Sequence, residues 1–117
     1  SEFDSPDKPG SGSLMSETLL EMLDEVRDKL GSPIKINSGY RTEEHNAKVG
    51  GKPKTETSKG SSHMYGLAAD LSCINSTDRY NLIFLLQETG FQRIGVGSTF
   101  IHVDIDFDKA QSVMWTY

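Results

Sequence analysis

The stretch Phe100-Ile101-His102-Val103-Asp104-Ile105 limits the possible folds more than any other part of this chain. Successive side chains of a β-strand point to opposite faces. As a strand, this stretch puts Ile101, Val103 and Ile105 on one face and Phe100, His102 and Asp104 on the other. The branched aliphatic face needs a core to cover it. The face with an imidazole and a carboxylate does not belong in that core, because unpaired polar groups are costly to bury. The pattern predicts a sheet with one packed face and one face that carries chemistry.

A second stretch, Ser61-Ser62-His63-Met64-Tyr65-Gly66-Leu67-Ala68-Ala69-Asp70-Leu71, brings a histidine and an aspartate. Gly66 lets the backbone bend between them, and Ala68 and Ala69 leave room beside a ligand. Taken alone, a His-x₆-Asp spacing reads as a loop histidine and a locally paired aspartate, because such spacings arise by chance. His102 changes that reading. Two imidazoles and one carboxylate, His63, Asp70 and His102, make a three-residue set of the kind a catalytic zinc ion accepts, with one position left for water. Asp104 then stands two residues from a ligand, either as a proton acceptor or as the group that orients His102. Arg41 follows a Ser-Gly-Tyr turn. It has two readings: a fixed guanidinium for a carboxylate or oxyanion, or a surface ion pair with Glu43 or Glu44. His45, on a short polar segment, reads as surface.

The rest of the chain supplies scaffold. Residues 1–13 are rich in Ser, Gly, Pro and Asp and read as a flexible N-terminal arm, with Phe3, its one large apolar residue, as a candidate anchor to the core. Residues 14–117 then form a single domain. Ser16 to Leu30 predicts a helix capped by Ser16, with Leu19, Met22, Leu23, Val26 and Leu30 on one face and Gly31 at its exit. Pro33 to Asn37 reads as a short strand. Thr42 caps a short helix over Glu43 to Val49, and Lys52 to Gly60 is a polar loop. Leu67 to Ser72 reads as a buried strand. A third helix over Asp78 to Glu88 takes Ser76 or Thr77 as its cap and ends at Gly90. Phe91 to Val96 and Thr99 to Ile105 form a hairpin. In Ser112 to Tyr117, Val113, Trp115 and Tyr117 recur with period two, which predicts a last strand that brings Trp115 near the site. The element order gives an α+β fold: a small antiparallel sheet with helices packed on one side.

Composition excludes some classes. The 117 residues carry a net charge of −5, and no Lys/Arg stripe marks a nucleic-acid surface. One cysteine, Cys73, rules out an internal disulfide and reads as a buried structural thiol. No stretch is long and apolar enough to span a membrane. No signal-peptide pattern is visible at the start, and a monomer is expected.

The ordered motifs Ser38-Gly39-Tyr40-Arg41 with Asn46, Gly50-Gly51, Ser62-His63-Met64-Tyr65-Gly66-Leu67-Ala68-Ala69-Asp70 and Phe100-Ile101-His102-Val103-Asp104 resemble the zinc D-Ala-D-Ala carboxypeptidase family of murein peptidases. That family shares its fold with the hedgehog signalling domain, and the resemblance spans Ser16 to Tyr117. It implies zinc on His63, Asp70 and His102, a substrate-binding arginine at Arg41, and cleft positions at Ser62 and Tyr65. It also implies action at the cell wall, on a D-Ala-containing bond of the peptidoglycan stem peptide. One position departs from it. Many members carry an acidic general base three residues before the last zinc histidine, where this chain has Thr99. The resemblance therefore leaves a second expectation open: a zinc-stabilised module that binds peptidoglycan or peptide without turnover.

Overall fold

A computed structural model describes residues 1–117. Three α-helices and five strands build an α+β domain: α1 (Glu17–Leu30), β1 (Ile36–Ser38), α2 (Glu43–Lys48), β2 (Ala68–Ser72), α3 (Ser76–Thr89), β3 (Arg93–Val96), β4 (Phe100–Asp104) and β5 (Val113–Thr116). A 3₁₀ turn over Ser62–Tyr65 precedes β2. The strands form one sheet in the order β1-β2-β4-β3-β5.

The local signals explain most boundaries. Ser16 caps α1 by accepting from the Leu19 N–H, and Gly31 leaves the helix in the left-handed conformation at φ 71°. Thr42 caps α2 in the same way through the His45 N–H. The cap of α3 is Asn75, whose side chain accepts from the Asp78 N–H. The helix therefore starts earlier than the Ser76 or Thr77 expected from sequence, because an asparagine oxygen caps as well as a serine one.

The alternation in β4 is realised. Ile101 and Val103 join Ala69 and Leu71 of β2 and Ile94 of β3 in one buried cluster with Leu19, Leu23 and Val26 of α1 and Leu82 and Leu86 of α3. Helices α1 and α3 thus cover one face of the sheet. Helix α2 packs beside the 3₁₀ turn at the site instead.

Two expectations need correction. The sheet is mixed: β1, β2, β4 and β3 pair antiparallel, but β5 runs parallel to β3. The segment from Ile105 to Ser112 carries the chain back along the sheet, so β5 enters beside β3 in the same direction. Residues 1–13 also fold back on the domain instead of forming a loose arm. The Tyr40 N–H donates to the Phe3 carbonyl at 2.9 Å, the Thr42 N–H to Ser5 Oγ at 3.2 Å, and the Ser5 N–H to Ser11 Oγ at 2.8 Å. Ser5 is 1% exposed. Phe3 packed against the core, the Glu2–Arg27 ion pair and backbone and hydroxyl groups hold this segment down, and composition reveals none of the polar contacts.

Candidate metal centre

The register of the sheet puts the site on one rung. Ser38 of β1 pairs with Asp70 of β2, Asp70 with His102 of β4, His102 with Gly95 of β3, and Gly95 with Trp115 of β5. Cross-strand partners on one face stand close enough for their side chains to meet. Asp70 and His102 are therefore brought together by backbone pairing before any ligand is considered. Gly95 leaves the space that the Trp115 indole occupies: a Cβ there would lie 2.7 Å from Trp115 Nε1. The indole sits beside His102, with ring centroids 5.6 Å apart.

His63 arrives from the 3₁₀ turn. The Ser61 side chain caps that turn, and Gly66 ends it with φ 70°. A side chain at Gly66 would also collide with the Leu14 carbonyl oxygen, so glycine is required twice there.

The outer contacts of the two imidazoles select the tautomer each would present to a metal. His63 Nδ1 lies 2.8 Å from the Gly39 carbonyl oxygen, which can only accept, so Nδ1 carries the proton and Nε2 offers a lone pair. His102 has a carboxylate oxygen at each nitrogen, Asp104 Oδ2 at 2.8 Å from Nε2 and Asp70 Oδ1 at 3.0 Å from Nδ1; with a metal at the centre, Nε2 donates to Asp104 and Nδ1 offers the lone pair. Those two free nitrogens lie 3.2 and 3.0 Å from the same oxygen, Asp70 Oδ1. One ligand atom from each of the three residues lies within 4.8 Å of the others. Three electron-pair donors facing one point repel one another unless protons or a metal cation sit among them. The donor set, N₂O with the second nitrogen of each imidazole held by an oxygen, fits a zinc site.

Protonation follows the same geometry. Burial pushes the His63 imidazole below its ordinary pKa. Burial also opposes charge on His102, but its contacts with Asp104 and Asp70 outweigh it and raise that imidazole. Asp70 is pushed up by burial and pulled further down by His102 and His63, so it stays ionised well into acid.

The other expected site residues divide. Arg41 does not form the surface ion pair with Glu43 or Glu44. Its three nitrogens donate to Ser38 Oγ at 2.9 Å, Asn46 Oδ1 at 3.3 Å and Asp70 Oδ2 at 3.1 Å. Asp104 is buried and doubly held: Oδ2 by His102, Oδ1 by Arg93 Nε at 2.7 Å and by the Asp106 N–H at 3.1 Å. Ser62 lines the cavity, donating to Asp106 Oδ2 at 2.7 Å and accepting from Lys109 Nζ at 2.8 Å. Tyr65 does not line it; its hydroxyl donates to the Lys59 carbonyl at 2.8 Å on the outer surface. Thr99 is exposed in the β3–β4 turn and is absent from the cavity wall. His45 is not among the residues that line the cavity.

The cavity over the rung measures about 470 Å³. Arg93, Lys109 and Asn46 contribute to it or brace it without having been singled out as functional from the sequence. Asn46 appeared there only as part of a motif. Arg93 and Lys109 had no local signal, since Arg93 is placed by its contact with Asp104 on the neighbouring strand and Lys109 by contacts with Gly60 and Ser62, distant in sequence.

A family model described as Peptidase M15 matches residues 3–105. No curated protein matches the chain.

Proposed function

This chain belongs to the peptidase M15 family of metallopeptidases, which usually use zinc, and on that premise we propose that it hydrolyses a D-Ala-containing bond in peptidoglycan stem peptides. The observation that carries the proposal is the convergence of His63 Nε2, Asp70 Oδ1 and His102 Nδ1, with their opposite atoms anchored by Gly39, Arg41 and Asp104. Bound there, zinc supplies a Lewis acid and a water with its pKa lowered to about 7.

The protein's own groups hold that arrangement. The Gly39 carbonyl keeps His63 in the tautomer that offers Nε2. Asp104 acts as the orienting partner of His102 and not as the proton acceptor, because both of its oxygens are already engaged. Arg41 fixes Asp70 and has N–H bonds left on both terminal nitrogens for a substrate oxygen. Ser62 contributes to the wall. Tyr65, whose hydroxyl donates to the Lys59 carbonyl, is given no substrate contact in this reading.

Digestion of purified murein with and without a chelator tests this reading. Chelator-sensitive release of shortened stem peptides is the expected result. One observation favours a second reading, a zinc-stabilised module that grips peptide without cutting it. The cavity wall carries two carboxylates, Asp70 and Asp104, and both are engaged by partners. Retention of the zinc-loaded protein on murein with no released product at any stem bond would replace the first reading with the second.

A further inference from the structure

The charge of the cavity is opposite to that of the molecule. The chain as a whole carries −5. The cavity wall carries Arg41, Lys52, Arg93 and Lys109 against Asp70 and Asp104. The two aspartates are spent on Arg41, Arg93 and the imidazoles, so they do not neutralise the remaining cations.

Lys109, one of the remaining cations, stands close enough to the paired Arg93 to feel its charge. Arg93 donates through Nε to Asp104 and through Nη1 to the Ala110 carbonyl at 2.7 Å, one residue from Lys109. Its other terminal nitrogen has no protein acceptor, and the guanidinium carbon lies 4.9 Å over the Trp115 ring. Lys109 Nζ donates to the Gly60 carbonyl at 3.0 Å and to Ser62 Oγ at 2.8 Å, which leaves one N–H bond. The nearest carboxylate, Asp106, is 3.9 Å from it and is taken by Ser62 and Lys59 at 2.7 and 3.0 Å. Ser62, which anchors Lys109, precedes His63. The ammonium is held half-buried beside a second cation, and burial followed by Arg93 pushes its pKa down against the pull of Asp106 and Asp104.

We propose that Lys109, with Arg93 beside it, forms an anion subsite of this cavity that receives a carboxylate of a peptide substrate next to the bond at the metal centre. Like charges held together at a cavity wall are relieved when an anion enters, and a charge-assisted hydrogen bond to a carboxylate gives the subsite its selectivity. Arg41 is a poorer candidate for this task because all three of its nitrogens donate to protein acceptors, whereas one terminal nitrogen of Arg93 has none. The inference rests on the peptidase reading and narrows its substrate to acidic peptides.

The test measures binding of zinc-loaded protein to matched peptides by calorimetry. One arm replaces a side-chain carboxylate by its amide at successive positions, and another amidates the C-terminus. At one position the carboxylate form should bind on the order of tenfold more tightly than its amide, corresponding to about 1.4 kcal/mol. Lys109→Met should bring that ratio close to one, Lys109→Arg should keep most of it, and Lys35→Met, a charge change on the outer surface, should not alter it. An equal affinity for acid and amide at every position overturns the proposal, and so does a preference that survives Lys109→Met. Cleavage scored in parallel separates the two claims. Lys109-dependent acid preference without cleavage leaves the subsite and removes the peptidase; cleavage without acid preference does the reverse.

Discussion

The ligand His102 is held by its neighbour two residues on. Asp104 accepts from Nε2 and is itself held by Arg93, so the imidazole is fixed in both tautomer and direction. Asp104→Asn keeps the shape but replaces the carboxylate with a weaker acceptor that can turn its amide towards the ring. Zinc affinity should fall by about 10- to 100-fold, read by competition with a chromophoric chelator. An unchanged affinity would show that His102 needs no orienting partner. The period-two pattern alone revealed that His102 and Asp104 share a face, since that follows from strand geometry. It did not reveal which of two roles Asp104 takes. That depends on Arg93, eleven residues earlier and on another strand.

Among the elements, β3 and β5 show how backbone pairing shapes the cavity wall. Trp115 lies where a Gly95 side chain would be. Gly95→Ala should force the indole away from His102, opening the wall without touching a ligand. A shift in tryptophan emission with zinc affinity retained is the expected outcome, and Trp115 is the only tryptophan in the chain. An unaltered emission would mean the indole is not seated against that glycine. The alternation Val113, Trp115, Tyr117 made the strand itself legible. Its parallel direction was not, because the partner of an edge strand is chosen by long-range pairing. The cap of α3 was missed for a smaller reason: three adjacent residues, Asn75, Ser76 and Thr77, can all cap, and only the path of the incoming chain selects among them.

For the whole molecule, metal and proton compete for the same centre. In metal-free protein, His63 is held below and His102 above the ordinary imidazole value, about 6.5. The depressed His63 contributes stability above that value and loses it as pH falls towards its folded pKa. The raised His102 contributes below that value and loses it as pH rises through its folded pKa. Metal-free stability should therefore peak near pH 6.5 as far as these two groups govern it. Zinc at about a hundred times its dissociation constant should add about 2.7 kcal/mol, more at higher pH, where no proton has to leave His102. Thermal melts across pH 5.5 to 8.5, with zinc or chelator, read both effects, and identical curves with and without zinc would remove the metal from the account. The fold around the centre was readable wherever apolar spacing or a capping residue sets it. Residues 1–13 were misread because, beside Phe3 packed against the core, serine hydroxyls, a peptide carbonyl and the Glu2–Arg27 ion pair hold that segment.

The rung that carries Asp70 and His102 shares its strands with the packed interior, one residue out of phase. Adding or removing a single residue within Phe100 to Asp104 would turn β4 inside out: aliphatic groups would face the solvent cleft and the imidazole would face the leucines. Such an indel would abolish folding and metal capture in one event. Length changes are tolerable only in the connections, and any redesign of this centre has to proceed by substitution.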